Sequence, residues 1–339
     1  MLPDLPVDAL VAQFRTMLRI RRFEEALIAL AADHDIGHFH VYIGQEATGV
    51  PALAWLRDGD VAYSTHRNHG HLIARGVDPA AMLAEILGKA TGTNRGKGGT
   101  LHLASLAHGF PTTSSSVGGP LPIAVGSAFA FRELRQDHVS VALFGDGALE
   151  EGAWHEAANI AAMRQVPVIF LCENNSLEAL GQKANEYPSS TLAATELTDL
   201  VAPFRIPFEV VDGTDAGAVS AAMGRAVERA RAGVGPSFIE ARTVRWPGNR
   251  PLWPQLLTGE TDLAMTWDAA CIPDDHRAWH ERQDGLLRYL RELLAAGAIT
   301  QAQALSLDTD ARAEMAAAVE FGLASPYPAP EEALDDVFA

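Results

Sequence analysis

Apolar and polar positions alternate along this chain with two distinct periods. From Asp8 to about Ala32, Phe14, Met17, Leu18, Phe23, Leu27 and Leu30 recur near helical spacing, which predicts a long amphipathic helix. Glu46–Leu56 reads as a second helix despite Pro51, Pro79–Lys89 as a third, and Ile123 to Glu133 as an Ala-rich fourth. Short apolar runs have strand character at Asp60–Ser64, Val139–Phe144, Val166–Cys172, Phe208–Val211 and Ser237–Val244. Helical stretches at Glu150–Arg164 and Ala216–Ala232 separate the later runs. Strands alternating with helices predict an α/β fold: a doubly wound, mostly parallel sheet with helices on both faces. The expected organisation is one domain over 1–339. It has an N-terminal helical region at 1–60, an α/β core at 61–245, and an irregular insert with a C-terminal helical region at 246–339.

The segment VSVALFGDGALEEGAWHEAANIAAMRQVPVIFLCENN, starting at Val139, is the most informative. Its first strand ends in Gly145-Asp146-Gly147 and its second in Glu173-Asn174-Asn175. A strand–helix–strand unit closes right-handed with parallel strands, and ligands of such sheets sit beyond the carboxyl ends. Asp146 and Asn175 can therefore face one crevice. A carboxylate and an amide oxygen are hard ligands suited to Mg²⁺ or Ca²⁺, and the flanking glycines would let a diphosphate approach the backbone.

Composition narrows the classes. With 48% hydrophobic and 20% charged residues the chain is ordinary for a globular protein. A net charge of −17 argues against non-specific binding to nucleic acid and against anionic membranes. No apolar run approaches a membrane span, and MLPDLPVDAL has neither a basic n-region nor an apolar h-region. Two cysteines, one of them (Cys172) in an expected core strand, argue against a disulfide framework and fit a reducing, cytoplasmic setting.

The loop His66-Arg67-Asn68-His69-Gly70-His71 follows a strand. His69 and His71 have metal-ligand spacing, but no second cluster of soft ligands accompanies them. An Arg and a His at a strand end are instead suited to gripping phosphate oxygens. No G-x-G-x-x-G opens a helix after an early strand, which leaves a nicotinamide-binding Rossmann unit without its fingerprint.

Gly-Asp-Gly followed by Asn-Asn resembles the metal–diphosphate motif of thiamine diphosphate enzymes. Within that group the chain is similar to the alpha subunit of the E1 component of 2-oxo acid and acetoin dehydrogenases. Further matching segments are Gly44-Gln45-Glu46-Ala47 with His40 ahead of it, the acetoin-type Ser-Thr-His-Arg-x-His-Gly-His around His66, and Arg95-Gly96-Lys97-Gly98-Gly99 closed by His102. The tail from Val319 extends the likeness over nearly the whole chain.

The resemblance implies a thiamine diphosphate-binding fold of E1 alpha type, with thiamine diphosphate and Mg²⁺ as cofactors. It implies Asp146, Asn175 and the carbonyl of Leu177 as metal ligands. His66, Arg67, Ser115, Val117, Gly145, Gly147 and Ala148 would join them in holding the cofactor, and His40 and His69 would be catalytic. It further implies a beta subunit that supplies the acidic residue missing here, an α2β2 assembly, a 2-oxo acid or acetoin as substrate, and a lipoyl-bearing E2 as acyl acceptor. Two departures stand out. Asn249 occupies the place of a phosphate-binding histidine, and the loop after Asn175 lacks the expected Tyr-Arg, leaving Lys183, Asn249 or Arg250 as substitutes. These departures, and the stretch from Arg245 to Trp267, leave open a biosynthetic carboligase or a non-catalytic subunit.

Overall fold

In the computed structural model, which describes residues 1–175, 194, 196–244 and 259–335, six strands form one sheet. The strands are β1 (Val61–Thr65), β2 (Thr113–Ser114), β3 (Ser140–Gly145), β4 (Val168–Asn174), β5 (Phe208–Asp212) and β6 (Ser237–Arg242). Their spatial order is β2-β1-β3-β4-β6-β5, and every pairing is parallel. Such a sheet must be covered on both sides, which is why β3 and β4 read as continuous apolar runs rather than alternating ones.

The helices are α1 (Val7–Asp33), α2 (Glu46–Leu53), α3 (His69–Ala74), α4 (Pro79–Ile86), α5 (Pro120–Glu133), α6 (Gly152–Arg164), α7 (Ala216–Arg231), α8 (Gly285–Ala295) and α9 (Gln301–Ala324). One core joins α1, α2, α3, α4, α7, α8 and α9 to the Val141, Ile169 and Ile239 face of the sheet. A second packs α5 and α6 onto the opposite face through Phe144, Phe170, Trp154 and Phe238. Start signals in the sequence set several boundaries. Asp78 caps α4 with Pro79 behind it, Asp215 caps α7, Asp284 caps α8, and Thr300 forms a capping box with Gln303 on α9.

Some expected boundaries move. The helix expected to reach Leu56 stops at Leu53: Ala54 N–H still bonds the Val50 carbonyl, but Trp55 and Leu56 N–H turn back only three residues, to Ala52 and Leu53. The strand expected at 166–172 runs Val168–Asn174: Pro167 cannot donate to the sheet, while Glu173 and Asn174 pair with Gly145 and Arg242. Glu173 is therefore a buried strand residue rather than a loop acid. The second half of the 66–71 loop is helical, since α3 starts at His69 and buries Leu72 and Ile73. The Ser-rich stretch supplies the edge strand β2. Among the described residues no helix is long and apolar enough to cross a membrane.

Candidate functional site

A cavity of about 230 Å³ opens beyond the carboxyl ends of β1, β2, β3 and β4. After β1 the chain reaches β2 on one flank and β3 on the other, so the cavity lies at the point where the winding reverses. β1 contributes Thr65 and delivers His66 and Arg67; β2 contributes Ser114, followed by Ser116 and Val117. Gly145, Asp146, Gly147 and Ala148 follow β3, and β4 brings Glu173 with Asn175 just beyond it. Gly145 pairs with Glu173 across the sheet, so Asp146 and Asn175 leave adjacent strand ends.

The expected site residues His66, Arg67, Val117, Gly145, Asp146, Gly147, Ala148 and Asn175 thus line one cavity. Ser115 does not: its neighbours Ser114 and Ser116 face inward, while its hydroxyl lies 3.3 Å from His102 Nε2. His40 sits one layer out, its ring 4.4 Å from that of His66 and its Nε2 2.9 Å from His38 Nε2. Burial, reinforced by Arg67 and His66, pushes its pKa down to about 2, so His40 is a neutral imidazole. His69 is not among the lining residues. It is buried, with Nδ1 3.1 Å from both oxygens of Glu24 and Nε2 2.8 Å from Thr100 Oγ1. Leu177, Lys183, Asn249 and Arg250 lie outside the described residues.

Three features of the site have only faint signals in the sequence. Gln45, Glu173, Glu150 and Glu151 also line the cavity. A carboxylate closing an apolar strand, as Glu173 does, was the available clue. The Gly44-Gln45 turn is held from below: Gly44 N–H donates to Glu46 Oε2 at 2.8 Å, and Arg21 Nε donates to Glu46 Oε1 at 2.7 Å. Gly44 has φ +96, and a Cβ there would fall 2.1 Å from the Val244 carbonyl, so only glycine fits. Finally, the Gly-rich loop wraps around Glu85, whose buried carboxylate accepts the backbone N–H groups of Asn94, Gly96, Gly98 and Gly99 at 2.6–3.2 Å.

The donor set would suit Mg²⁺ together with a diphosphate. Asp146 and Asn175 bring two hard-oxygen side chains to adjacent strand ends, and Mg²⁺ commonly takes one or two protein carboxylates together with phosphate oxygens. The lining carries four carboxylates (Asp146, Glu150, Glu151, Glu173) against Arg67 and His66. A bare polyanion would be repelled there, and a divalent cation resolves the conflict. A Cβ at Gly145 would meet nothing closer than 4.0 Å, which leaves room for phosphate against the backbone.

The family model of the dehydrogenase E1 component matches residues 15–331. Among similar proteins, the alpha subunit of acetoin:2,6-dichlorophenolindophenol oxidoreductase from Cupriavidus necator is 39% identical, over 98% of this chain and 96% of that protein. Its namesake from Bacillus subtilis is 39% identical, over 96% of this chain and 92% of that one. The alpha subunit of the pyruvate dehydrogenase E1 component from Zymomonas mobilis is 37% identical, over 96% and 87%.

Proposed function

Because the chain belongs to the dehydrogenase E1 component family, we propose that it is the alpha subunit of a thiamine diphosphate-dependent E1 enzyme. Its reaction is oxidative decarboxylation of a 2-oxo acid or cleavage of acetoin, with the acyl unit passed to a lipoyl group or another acceptor. The observation that carries this reading is the single cavity in which Arg67, His66, Asp146 and Asn175 converge at four parallel strand ends.

When bound, thiamine diphosphate supplies a nucleophilic carbon and an electron sink for the substrate carbonyl. This chain's residues bind and orient it. Asp146 and Asn175 hold Mg²⁺, Arg67 and His66 grip the diphosphate, and Val117 braces the cofactor at the rim. His40, neutral at any working pH, donates or accepts one hydrogen bond near the substrate end without carrying charge. For His69 we propose positioning rather than chemistry, since Glu24 and Thr100 occupy both its nitrogens.

Two observations support a beta partner. The relatives are named as alpha subunits. Val117 at the cavity rim is exposed, as are Ile123, Phe129, Ile160 and Met163 on the neighbouring helices α5 and α6, and large apolar side chains left exposed on paired helices suit an interface. The acetoin-type residues around His66 and the acetoin-linked relatives make acetoin the first substrate to try.

The test is co-expression with a beta-type chain, followed by turnover of acetoin, pyruvate and branched 2-oxo acids with a dye acceptor, with and without thiamine diphosphate and Mg²⁺. Cofactor-dependent turnover only in the two-chain complex is expected. Full turnover by this chain alone, or turnover indifferent to the cofactor, refutes the reading.

A further inference from the structure

The amide of Asn175 can present either its oxygen or its NH₂ group to the cavity, and the two orientations have the same shape. Only hydrogen bonds distinguish them. In the structure Asn175 Nδ2 donates to Gln45 Oε1 at 2.7 Å. Gln45 is itself an amide with the same ambiguity, so something else must orient it. That group is Glu173: Gln45 Nε2 donates to Glu173 Oε2 at 3.3 Å. A carboxylate only accepts, so it admits one orientation of Gln45, which in turn admits one orientation of Asn175.

Glu173 is fixed from behind. Its Oε1 accepts the Tyr42 hydroxyl and lies 3.2 Å from His71 Nε2, while His71 Nδ1 lies 2.8 Å from Ser64 Oγ. Tyr42 cannot move aside: it is fully buried, and a Cβ on Gly70 would fall 2.0 Å from its ring. Gln45 is also fully buried, with its backbone set by the Gly44 turn and Glu46.

We infer that Gln45 and Glu173 are positioning residues that turn the amide oxygen of Asn175 away from Gln45, to the side where Asp146 and a divalent cation meet it. This rests on the cofactor-site reading above. It adds two residues, neither a metal ligand, that decide whether Asn175 offers the cation an acceptor or a repelling donor. Partners of metal ligands typically govern affinity by about ten- to a hundred-fold.

The experiment measures Mn²⁺ affinity by electron paramagnetic resonance in the two-chain complex with thiamine diphosphate present. Gln45→Leu is expected to weaken Mn²⁺ binding about ten- to a hundred-fold. In an Asn175→Asp background both ends of the side chain are oxygens and there is nothing left to orient, so adding Gln45→Leu is expected to change little. The paired exchange Gln45→Glu with Glu173→Gln keeps an acceptor toward Asn175 and the same total charge, and reverses only the bond between positions 45 and 173. It is expected to bind Mn²⁺ nearly as the parent does, and it serves equally if Gln45→Leu fails to fold.

An equal loss from Gln45→Leu in both backgrounds would overturn the orienting role in favour of a general packing one. No loss in either would overturn it outright, as would weak binding by the paired exchange. Asp146→Ala is the control on the underlying reading. If that variant binds Mn²⁺ normally, the cofactor site itself is misplaced; if it abolishes binding while Gln45→Leu does nothing, only the orienting role fails.

Discussion

Glu85 and Gly98 form the shortest of the bonds that close the Gly-rich loop, with the Gly98 N–H donating to Glu85 Oε1 at 2.6 Å. Three further backbone N–H groups, from Asn94, Gly96 and Gly99, converge on the same carboxylate. The loop is thus folded around one buried anion on α4. Gly96 and Gly99 take positive φ, and Gly98 has no room for a Cβ beside the His102 carbonyl.

Glu85→Ala therefore leaves several N–H groups without partners, at about 1–3 kcal/mol for each that water cannot reach. A lowered melting temperature is expected, with faster tryptic cleavage at Arg95 and Lys97. Unchanged melting and unchanged cleavage would mean the loop holds itself.

Asp146→Ala is expected to abolish Mg²⁺-dependent binding of thiamine diphosphate in calorimetry. The remaining lining still carries Glu150, Glu151 and Glu173, and without a bridging cation these repel the diphosphate. Binding as tight as in the parent protein would remove the central assignment.

Arg67→Ala is expected to weaken thiamine diphosphate by about ten- to a hundred-fold, the cost of one charge-assisted hydrogen bond in a closed site. The guanidinium also donates to the Val41 carbonyl, so the same variant should loosen the 41–45 turn. Calorimetry on the two-chain complex reads the first effect and hydrogen exchange the second.

Arg21 is bidentate to Asp284 at 2.9 and 3.0 Å and also bonds Glu46 and Thr261, all out of reach of solvent. Burial alone would lower its pKa, but the two carboxylates outweigh it and hold the guanidinium well above its ordinary value. Arg21→Met strands two buried acids and should cost about 3–5 kcal/mol, measured by denaturant unfolding. A loss below about 1 kcal/mol, the level of a surface pair, would show that water reaches the site.

His40 gives a pH signature in the cofactor-free protein. Its folded pKa is about 2, against an ordinary value of 6.5, so below pH 6.5 the unfolded chain binds a proton that the folded chain refuses. Stability must then fall as pH drops through 6.5 and keep falling toward 2. His40→Phe should flatten that slope in melting temperature against pH; an unchanged slope would place the titration elsewhere.

The alternation of strand and helix, the two motif ends at Asp146 and Asn175, and the placing of Arg67 in the same cavity were legible in the sequence. Each depends on local pattern: apolar runs bounded by Gly, Asp and Asn, or a basic pair closing a strand. What the sequence left open involves residues whose partners are distant. His69 carries the same local signal as His66, yet it turns inward to Glu24 as α3 begins, while His66 lines the cavity.

By itself, then, the sequence determined that this is a parallel α/β chain carrying Gly-Asp-Gly and Asn-Asn at two strand ends and that it belongs with the E1 alpha subunits, because periodicity and motif spacing are written within short windows. Only the tertiary structure decided which side chains share the cavity and which way their polar ends face. Gln45 and Asn175 stand 130 residues apart, and Tyr42 and Glu173 stand 131 apart. Their partnership follows from strand order and burial, and a buried amide or carboxylate takes the orientation that satisfies its neighbours, which no local window contains.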